Sequence, residues 1–440
     1  MDAEITELGR RLAHQPLAAA RLRRAPQDRA MAMLADDPQL RAALFKLVDV
    51  APACEGRADL TRHLEAFLAD LDHHEKLNSV FGRLLGVPAG TAVTGRLAEL
   101  AINQMAHRFI VGETAPEAIP ELRHLWNRRI ATSVDLLGEA TVTLQEGENY
   151  ASRCDQALEA LSDAASRWPS RPMLEHDSVA EIPRVNLSVK VTALTPLVRP
   201  QAPERGAADA ERHLRRLLRT AKRVGAHLHV DMESLNSREL ILETVQKLLA
   251  DPEFRDGPSA GLVVQAYLRD SEEILDSILE WSNRTPRATP LTIRLVKGAY
   301  WDHELIDSAQ HGWDVPVWTD KADSDRHFER LTRRLIDAHP RVRPAIASHN
   351  LRSVAHAIVY AQHRGLEPAD YEIQVLRGLG DGLQDALAAA GVRCRTYCPV
   401  GDLVSGMAYL VRRLLENTAN DSFLASQAAG GDLDQLLAAP

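Results

Sequence analysis

The sequence predicts an α/β fold, a closed (β/α)8 barrel that follows an all-helical N-terminal arm. Helical periodicity fills the chain from Ala3 to about Arg129, and no β-rich run interrupts it. After that point, short β-branched runs alternate with amphipathic segments. Eight such runs over roughly 290 residues suit a (β/α)8 barrel, which takes ~250 residues plus insertions. A doubly wound open sheet is the alternative, and the number of strands favours the barrel.

The N-terminal segment has the pattern of packed helices. Apolar residues recur at three- and four-residue spacing in Leu34–Val50 and again in Leu60–Leu71. We therefore divide the chain into three parts. Residues 1–129 are expected to form a helical arm and a small helical domain, residues 130–425 the barrel, and residues 426–440 a tail or the start of a linker.

Eight β-rich runs and the segments between them make up the predicted barrel. The predicted strands are Thr132–Leu137, Val185–Ala193, His227–Met232, Gly261–Tyr267, Leu291–Val296, Pro344–Ser348, Tyr371–Leu376 and Val392–Tyr397. The predicted helices are Ala207–Val224, Ser237–Leu249, Ser271–Asn283, Asp325–Ala338, Leu351–His363 and Gly382–Ala390. Because helices connect parallel strands, the carboxyl ends of all eight strands are expected at one face of the barrel.

Composition and charge exclude several classes of protein. Apolar residues make up 45% and charged residues 26% of the 440 residues, as in a globular chain. The net charge of -9 argues against a dedicated nucleic-acid binder, which needs a basic face. No apolar run approaches the ~20 residues of a membrane span, and Met1–Gln15 is unlike a signal peptide. Four cysteines are too few for a disulfide framework, so we expect a reduced, cytoplasmic protein.

Polar residues stand at or near the carboxyl end of every predicted strand, where barrels of this kind carry function. They are Glu139, Lys190, Asp231, Glu233, Gln265, Tyr267, Arg294, Lys297, Ser348, His349, Asn350, Arg377 and Tyr397. A strand that is buried on both faces should read as continuous apolar sequence. A break near the same end of all eight strands therefore predicts a ligand site.

Two segments point to an anionic ligand. The run Leu291–Trp301 combines two cations, a glycine and two aromatic residues, which suits a planar cofactor that carries phosphate. The segment Tyr409–Asn417 places two adjacent arginines within an apolar helical pattern. Buried guanidinium groups are costly without an anion, so this pair predicts a carboxylate or phosphate ligand. Salt bridges on the helix surface are the alternative.

Other motifs support different hypotheses. His227 and His229 with Asp231 could belong to a metal-dependent hydrolase, although in such barrels the histidine pair belongs to the first strand. A non-enzymatic scaffold whose barrel docks a partner domain is a further alternative. Cys394 and Cys398 are interpreted as core residues and not as metal ligands. We expect no metal.

The barrel closely resembles the flavin-dependent proline dehydrogenase domain of the bifunctional bacterial proline utilisation A proteins. The matching motifs are Leu136–Ala140, Asn186–Leu194, Val230–Glu233, Leu262–Tyr267, Arg294–Trp301, Ser348–Asn350, Tyr371–Gly380, Tyr397–Gly401 and Tyr409–Asn420. Phe45–Pro52 also resembles the helical arm of that family. The resemblance implies oxidation of L-proline to Δ1-pyrroline-5-carboxylate, with FAD as the hydride acceptor and a membrane quinone as the next electron acceptor.

The resemblance also implies which residues bind the substrate. By position they are Lys190, Leu376, Tyr397, Tyr409, Arg412, Arg413 and Glu139. Lys190 and the two arginines would hold the proline carboxylate, Leu376 and the two tyrosines would pack on its ring, and Glu139 would pair with Arg412 as a gate. Asp231, Arg294 and Lys190 are the implied catalytic residues, with Arg294 near the flavin N5.

For FAD, the resemblance implies a second set of residues. They are Asp231, Gln265, Arg294, Val296, Lys297, Gly298, Ala299, Tyr300, Trp301, Ser348, His349, Asn350, Gln374, Leu376, Glu416 and Phe423. Gln265 would meet the pyrimidine edge, Lys297 and His349 the pyrophosphate, Trp301 the adenine, and Glu416 the adenosine side.

Departures from the family pattern refine these expectations. Cys398 replaces a usual alanine, and Arg377 stands where histidine is common. Tyr397 is retained where relatives that prefer hydroxyproline carry a smaller residue, so proline is the expected substrate. The DNA-binding segment of some members is absent from Met1–Pro16, and we expect no nucleic-acid partner. The aldehyde dehydrogenase half is also missing from this chain, and peripheral membrane contact is implied for the full-length protein.

Overall fold

The computed structural model describes residues 1–14, 108–138, 141–402 and 432–440, together with six isolated positions between residues 50 and 66. Within these residues, eight parallel strands close into a barrel in sequence order, and β1 pairs with both β2 and β8. The strands are β1 (Ala131–Leu136), β2 (Asn186–Val189), β3 (His227–Val230), β4 (Ser259–Gln265), β5 (Leu291–Val296), β6 (Val342–Ala347), β7 (Glu372–Leu376) and β8 (Cys394–Val400). The predicted closed barrel is confirmed, and the open sheet is excluded.

Helices precede the barrel, connect its strands and follow it. They are α1 (Asp2–His14), α2 (Ala115–Asn127), α3 (Leu144–Ser166), α4 (Pro172–Glu175), α5 (Val191–Leu194), α6 (Pro203–Val224), α7 (Leu235–Ala250), α8 (Ser271–Arg284), α9 (Trp301–His311), α10 (Lys321–Asp337), α11 (Leu351–His363), α12 (Asp381–Ala389) and α13 (Leu433–Leu436). None of the helices in the described ranges is long and apolar enough to cross a membrane. The rest of the predicted helical arm, including Leu60–Leu71, lies largely outside the described residues.

Local sequence signals fix where the helices begin and end. Thr143 caps α3, because its hydroxyl accepts from the Glu146 backbone N–H while the Glu146 carboxylate accepts from the Thr143 N–H. Asn350 caps α11 in a similar way, with its side chain accepting from the Ser353 N–H. Gly225 ends α6 with a φ of 68°, in the left-handed region where glycine is favoured. Two side-chain caps and one left-handed glycine thus mark these three helix ends.

The ends of the second and eighth predicted strands differ most from the structure. The second strand was expected to run to Ala193 but ends at Val189, and α5 follows as a single helical turn. The reason is local: the carbonyl of Thr192 accepts from the N–H of Thr141, and its N–H donates to the Glu233 carboxylate, so Thr192 makes no ladder bonds. The eighth strand was expected to end at Tyr397 but continues to Val400, paired with β1 throughout.

The inside of the barrel is polar at its amino end, which the sequence analysis did not predict. Arg395 in β8 donates through Nε to both oxygens of Glu372 in β7, at 2.9 and 3.0 Å, and through Nη1 to the Thr132 carbonyl in β1 at 2.8 Å. The imidazole of His227 contacts the Ser259 hydroxyl at 2.8 Å. All five of these side chains are buried, so this half of the barrel is held by hydrogen bonds and charge pairs.

The two ends of the chain meet on the outside of the barrel. Helix α1 packs on α11, and the side chain of Leu437 lies against Gly9. The guanidinium group of Arg352, in α11, donates to Glu329 at 2.9 Å, to the Leu437 carbonyl at 3.3 Å and to Asp2 at 2.7 Å. We call this contact the terminal junction. It joins α10, α11, the N-terminal helix and the C-terminal segment through one arginine.

Candidate active site

Five strands bring charged and hydroxyl side chains together near the carboxyl end of the barrel. Asp135 lies in β1, Arg294 in β5 and Tyr397 in β8, while Lys190 and Asp231 directly follow β2 and β3. Asp135, Asp231 and Arg294 are buried, and the other two are half-buried. The predicted catalytic residues Lys190, Asp231 and Arg294 therefore lie in one cluster, as their positions at strand ends indicated.

The Asp231 carboxylate is at the centre of the cluster. Its Oδ1 accepts from Arg294 Nη1 at 2.5 Å and from the Ser188 hydroxyl at 2.7 Å. Its Oδ2 accepts from the Tyr397 hydroxyl at 2.6 Å and lies 3.7 Å from Lys190 Nζ. Three hydrogen bonds, one of them from the charged Arg294, and a further ion pair with Lys190 thus fix the orientation of a single buried carboxylate.

Lys190 has a second acidic partner that the sequence analysis missed. Its Nζ donates to both carboxylate oxygens of Asp135, each at 2.8 Å, and lies 3.5 Å from the Tyr397 hydroxyl. The side chain of Asp135 is 0% exposed and that of Lys190 is 22% exposed. The signal was present in the sequence, because Asp135 is the one charged residue in the predicted strand Thr132–Leu137.

Hydroxyl groups lie within hydrogen-bonding distance of the Arg294 guanidinium group. Its Nη2 lies 3.4 Å from the Ser133 hydroxyl, and Ser133 in turn donates to Asn186 at 2.7 Å. The guanidinium carbon lies 5.3 Å from the centre of the Tyr397 ring, a cation–π distance. Arg294 Nε is buried and has no hydrogen-bond partner among the described residues. This buried donor fits a hydrogen-bond acceptor on a ligand.

Burial and charge act against each other in this cluster. Burial by itself raises the pKa of Asp231, but Arg294 and Lys190 outweigh it and hold that pKa below its usual value. Burial likewise lowers the pKa of Lys190, but Asp135 and Asp231 outweigh it and raise that pKa overall. Burial raises the pKa of the Asp135 carboxyl group and of the Tyr397 hydroxyl. Lys190 is thus held as a cation and Tyr397 as a neutral hydrogen-bond donor.

The segment from Lys297 to Tyr300 connects β5 to α9 beside this cluster. Gly298 has a φ of 137°, and a Cβ at this position would lie 1.5 Å from the Tyr267 ring, so only glycine fits here. Val296, Lys297, Ala299 and Tyr300 are half-buried around it. The predicted cofactor residues of strand five therefore line one continuous strip along the mouth of the barrel.

Gln265, at the end of β4, pairs with Val296 in β5, and Lys297 belongs to the strip itself. Gln265 donates to the Glu233 carbonyl at 3.0 Å, while its buried Oε1 has no hydrogen-bond partner within the described ranges. Lys297 pairs with the Asp325 carboxylate, which Lys321 also contacts at 3.0 Å. Burial lowers the pKa of Lys297, although Asp325 acts against it. An anion at Lys297 would have to share this ammonium group with Asp325.

The predicted residues at the ends of β6 and β7 lie next to the strip, because β6 pairs with β5 and β7 pairs with β6. His349 accepts through Nε2 from the Leu376 N–H at 2.9 Å, which joins the ends of the two strands. Ser348 and Asn350 bond within their own turn, with the Ser348 hydroxyl accepting from the Asn350 N–H at 3.1 Å. Gln374 is buried and donates to Glu372 in the polar network of the barrel interior. Of this group, Ser348 directly follows β6 and Leu376 is the last residue of β7.

Several predicted site residues lie outside the described residues. They are the gate residue Glu139, the substrate residues Tyr409, Arg412 and Arg413, and the cofactor residues Glu416 and Phe423. Their proposed roles therefore rest on the resemblance of their motifs alone. Arg377, noted for its departure from the family pattern, pairs with Glu121 at 2.8 Å.

The geometry does not favour the metal-dependent hydrolase. His227 Nε2 contacts His229 Nδ1 at 3.1 Å, and burial lowers the pKa of both imidazoles well below the usual value. Asp231 is directed to Arg294, Ser188 and Tyr397 instead. In the part of the chain that the structure describes, the group with ligand atoms close enough for a metal is Cys54, Asp59 and His63, outside the barrel. The two histidines thus belong to the barrel interior.

Comparison with known proteins agrees with the geometry. Residues 118–426 match the family model for proline dehydrogenase, and residues 2–109 match the model for the proline utilization A N-terminal domain. The chain belongs to the proline dehydrogenase family. A crystal structure of proline utilization A from Bdellovibrio bacteriovorus superimposes with a TM-score of 0.86 at 32% identity, over 99% of this chain and 43% of that chain. Membership of the family supports proline oxidation as the activity of the barrel.

Two curated proline dehydrogenase relatives differ in length. The bifunctional protein PutA of Salmonella typhimurium is 31% identical over 84% of this chain and 27% of its own length. Proline dehydrogenase 1 of Bacillus subtilis is 25% identical over 83% of this chain and 98% of its own length. The chain thus spans about a quarter of the PutA relative and nearly the whole of the Bacillus subtilis enzyme.

Proposed function

We propose that this chain oxidises L-proline to Δ1-pyrroline-5-carboxylate, with FAD bound in the mouth of the barrel. The observation that carries the proposal is the cluster of Lys190, Asp135, Asp231 and Arg294 at the carboxyl end of a proline dehydrogenase barrel. It presents two cations and a neutral tyrosine hydroxyl in a largely buried position, which suits the carboxylate of a small amino acid.

The residues along the strip fit a flavin. The buried Oε1 of Gln265 and the buried Nε of Arg294 each lack a partner in the described ranges, and a flavin ring carries complementary donors and acceptors. Gly298 lets the strip pass directly against the Tyr267 ring, and the exposed indole of Trp301 offers a stacking surface. When bound there, FAD would supply the acceptor for the hydride.

The protein groups would orient proline and favour its reactive form. A hydride leaves the ring carbon next to nitrogen only when that nitrogen is neutral. Lys190, kept positive by Asp135 and Asp231, would bind the carboxylate together with Arg412 and Arg413. The same positive charges disfavour an ammonium group nearby. Arg294, held by Asp231, would stabilise the negative charge that develops in the transition state, and the Tyr397 ring would exclude water.

Further parts of the proposal concern the longer protein. A membrane quinone would reoxidise the flavin, and peripheral membrane contact would occur in the full-length protein, as the family resemblance implies. We also propose the division into residues 1–129, 130–425 and 426–440. In a longer chain, an aldehyde dehydrogenase domain would follow the barrel and act on the hydrolysed product.

The visible spectrum with and without proline tests the proposal. We expect the purified chain to be yellow, or to become so on reconstitution with FAD, and to bleach when L-proline is added without oxygen. The Bdellovibrio relative was inactivated by N-propargylglycine. We expect the same compound to inactivate this chain irreversibly and proline to protect against it.

Two controls make the result decisive. Arg412→Ala and Arg413→Ala variants should keep the flavin spectrum but bleach far more slowly, because the carboxylate is held less firmly. A colourless protein that cannot be reconstituted with FAD would rule out the proposal. Stoichiometric metal in a colourless protein that hydrolyses esters or amides would support the hydrolase instead.

A further inference from the structure

A buried histidine next to the cofactor strip has no role in the proposed reaction. His327, in α10, is 4% exposed, and its Nδ1 lies 2.8 Å from the indole nitrogen of Trp318. The two rings meet edge to face, with centres 5.5 Å apart and planes inclined by 70°. The indole and imidazole are thus held in one relative orientation by a hydrogen bond and by ring packing.

Trp318 in turn holds Trp301, whose indole nitrogen donates to the Trp318 carbonyl at 2.9 Å. The Trp318 N–H donates to the Tyr267 carbonyl, also at 2.9 Å. The guanidinium group of Arg269 lies 5.3 Å from the centre of the Trp318 ring. The backbone of Trp318 therefore connects the end of β4 to the first residue of α9, and its side chain is fixed by His327 and Arg269.

The contact requires one protonation state of His327. Burial lowers the pKa of this imidazole, so it is neutral at physiological pH. An indole nitrogen only donates, so Nδ1 must accept and the hydrogen must be on Nε2. The same Nδ1 lies 2.9 Å from the Ala266 carbonyl oxygen, which accepts a hydrogen only from the other tautomer. The hydrogen bond from Trp318 thus belongs to the Nε2–H tautomer, and a hydrogen bond to the Ala266 carbonyl belongs to the Nδ1–H tautomer.

We propose that His327 is a positioning residue for the adenosine end of FAD. It acts through Trp318, which sets the orientation of the Trp301 indole on which the adenine would stack. The proposal rests on the proposed function, since it requires that FAD occupies the strip. It adds residues of α10 and of the segment after α9 to a site otherwise built at the strand ends.

The test is the dissociation constant of FAD for the apo form of the full chain, measured by quenching of flavin fluorescence. We expect His327→Leu to weaken FAD binding roughly three- to tenfold, which is the net effect of one hydrogen bond. His327→Asn places an amide oxygen close to the position of Nδ1 and should restore binding nearly to the wild-type value. The control is His356→Leu, a substitution of an equally buried histidine in α11 that should leave the FAD dissociation constant unchanged.

A double-mutant cycle separates this role from general destabilisation. Trp318→Phe removes the indole N–H, so adding His327→Leu to it should weaken FAD binding little further. Additive effects, or a His327→Leu protein that binds FAD as tightly as the wild type, would overturn the inference while leaving the proposed function intact. A wild-type chain that binds no FAD would overturn both.

Discussion

Lys190 carries its charge in a half-buried position because two carboxylates face it. Asp135 contacts it through both oxygens and Asp231 lies 3.7 Å away. Burial favours the neutral amine, so the charge of Lys190 depends on these partners. The positive charge that would bind the substrate carboxylate is therefore maintained by Asp135 and Asp231.

Asp135→Asn tests this dependence. The change removes the nearest negative charge, so the pKa of Lys190 should fall, and the ammonium group should lose its proton at a lower pH than in the wild type. We expect the KM for L-proline to begin rising at a lower pH than in the wild type. At a pH where the wild-type KM is still unchanged, the KM of the variant should be raised about tenfold or more. Steady-state kinetics across the neutral to alkaline range measure this.

The matched control is Asp163→Asn in α3, whose carboxylate is 71% exposed and pairs with Arg167. It should leave the pH dependence of KM as it is in the wild type. If Asp135→Asn also left the pH dependence of KM unchanged, the charge of Lys190 would not depend on Asp135.

The candidate site was predicted in part from single residues. Lys190, Asp231, Arg294 and Tyr397 were found because each breaks an apolar strand at its carboxyl end. The supporting hydroxyl of Ser188 was not found, because serine is common at buried strand positions and carries no distinct signal. Which side chains bond to each other depends on the register between strands, and a single sequence does not specify that register.

At the scale of secondary-structure elements, the connection between β5 and α9 has the tightest steric requirement in the site. Gly298 has a positive φ and lies against the Tyr267 ring. The backbone can follow this path only because residue 298 has no side chain. The sequence predicted a glycine that lets the backbone approach a ligand. In the structure, the ring of Tyr267, two residues after the end of β4, occupies the space that a Cβ would need.

Gly298→Ala should therefore displace this connection. We expect the free energy of unfolding to fall by about 2 kcal/mol or more, from backbone strain and the clash with Tyr267, and FAD binding to weaken. Chemical denaturation and FAD titration measure the two effects.

Gly382→Ala in α12 is the control, since a Cβ there meets nothing within 4 Å and no positive φ is involved. It should be neutral or slightly stabilising because alanine favours helix. Equal stability losses in the two variants would show that the Tyr267 contact is unimportant.

For the molecule as a whole, the terminal junction ties the N-terminal helix to the barrel. Arg352 is 7% exposed and contacts groups from three other segments, of which the carboxylate of Glu329 is also buried. Removal of the arginine would leave Glu329 buried without its charged partner, which is strongly destabilising. No sequence pattern predicted this contact, because residues near positions 2, 352 and 437 meet only after the barrel has closed.

Arg352→Met should lower the free energy of unfolding by about 3 kcal/mol. It should also speed hydrogen exchange in α1, because that helix loses its contact with the barrel. Thermal denaturation and hydrogen exchange measured by mass spectrometry give the two readouts.

Arg330→Met in α10 provides the comparison, since its side chain is 58% exposed and pairs with Glu272 at the surface. A surface pair of this kind contributes little, so its loss should be small. Exchange in α1 that is equally fast in both variants would contradict the role of the junction.

Arg395 has a consequence for how the chain folds. Arg395 lies in β8 and donates to Glu372 in β7 and to the Thr132 carbonyl in β1. It therefore bonds to both strands that flank β8. During synthesis, β1 leaves the ribosome about 260 residues before Arg395 does. The edge of β1 that pairs with β8 stays unpaired for that time. Nascent chains that stop short of β8 should therefore be prone to association through β1, and the barrel should close in one cooperative step when β8 inserts.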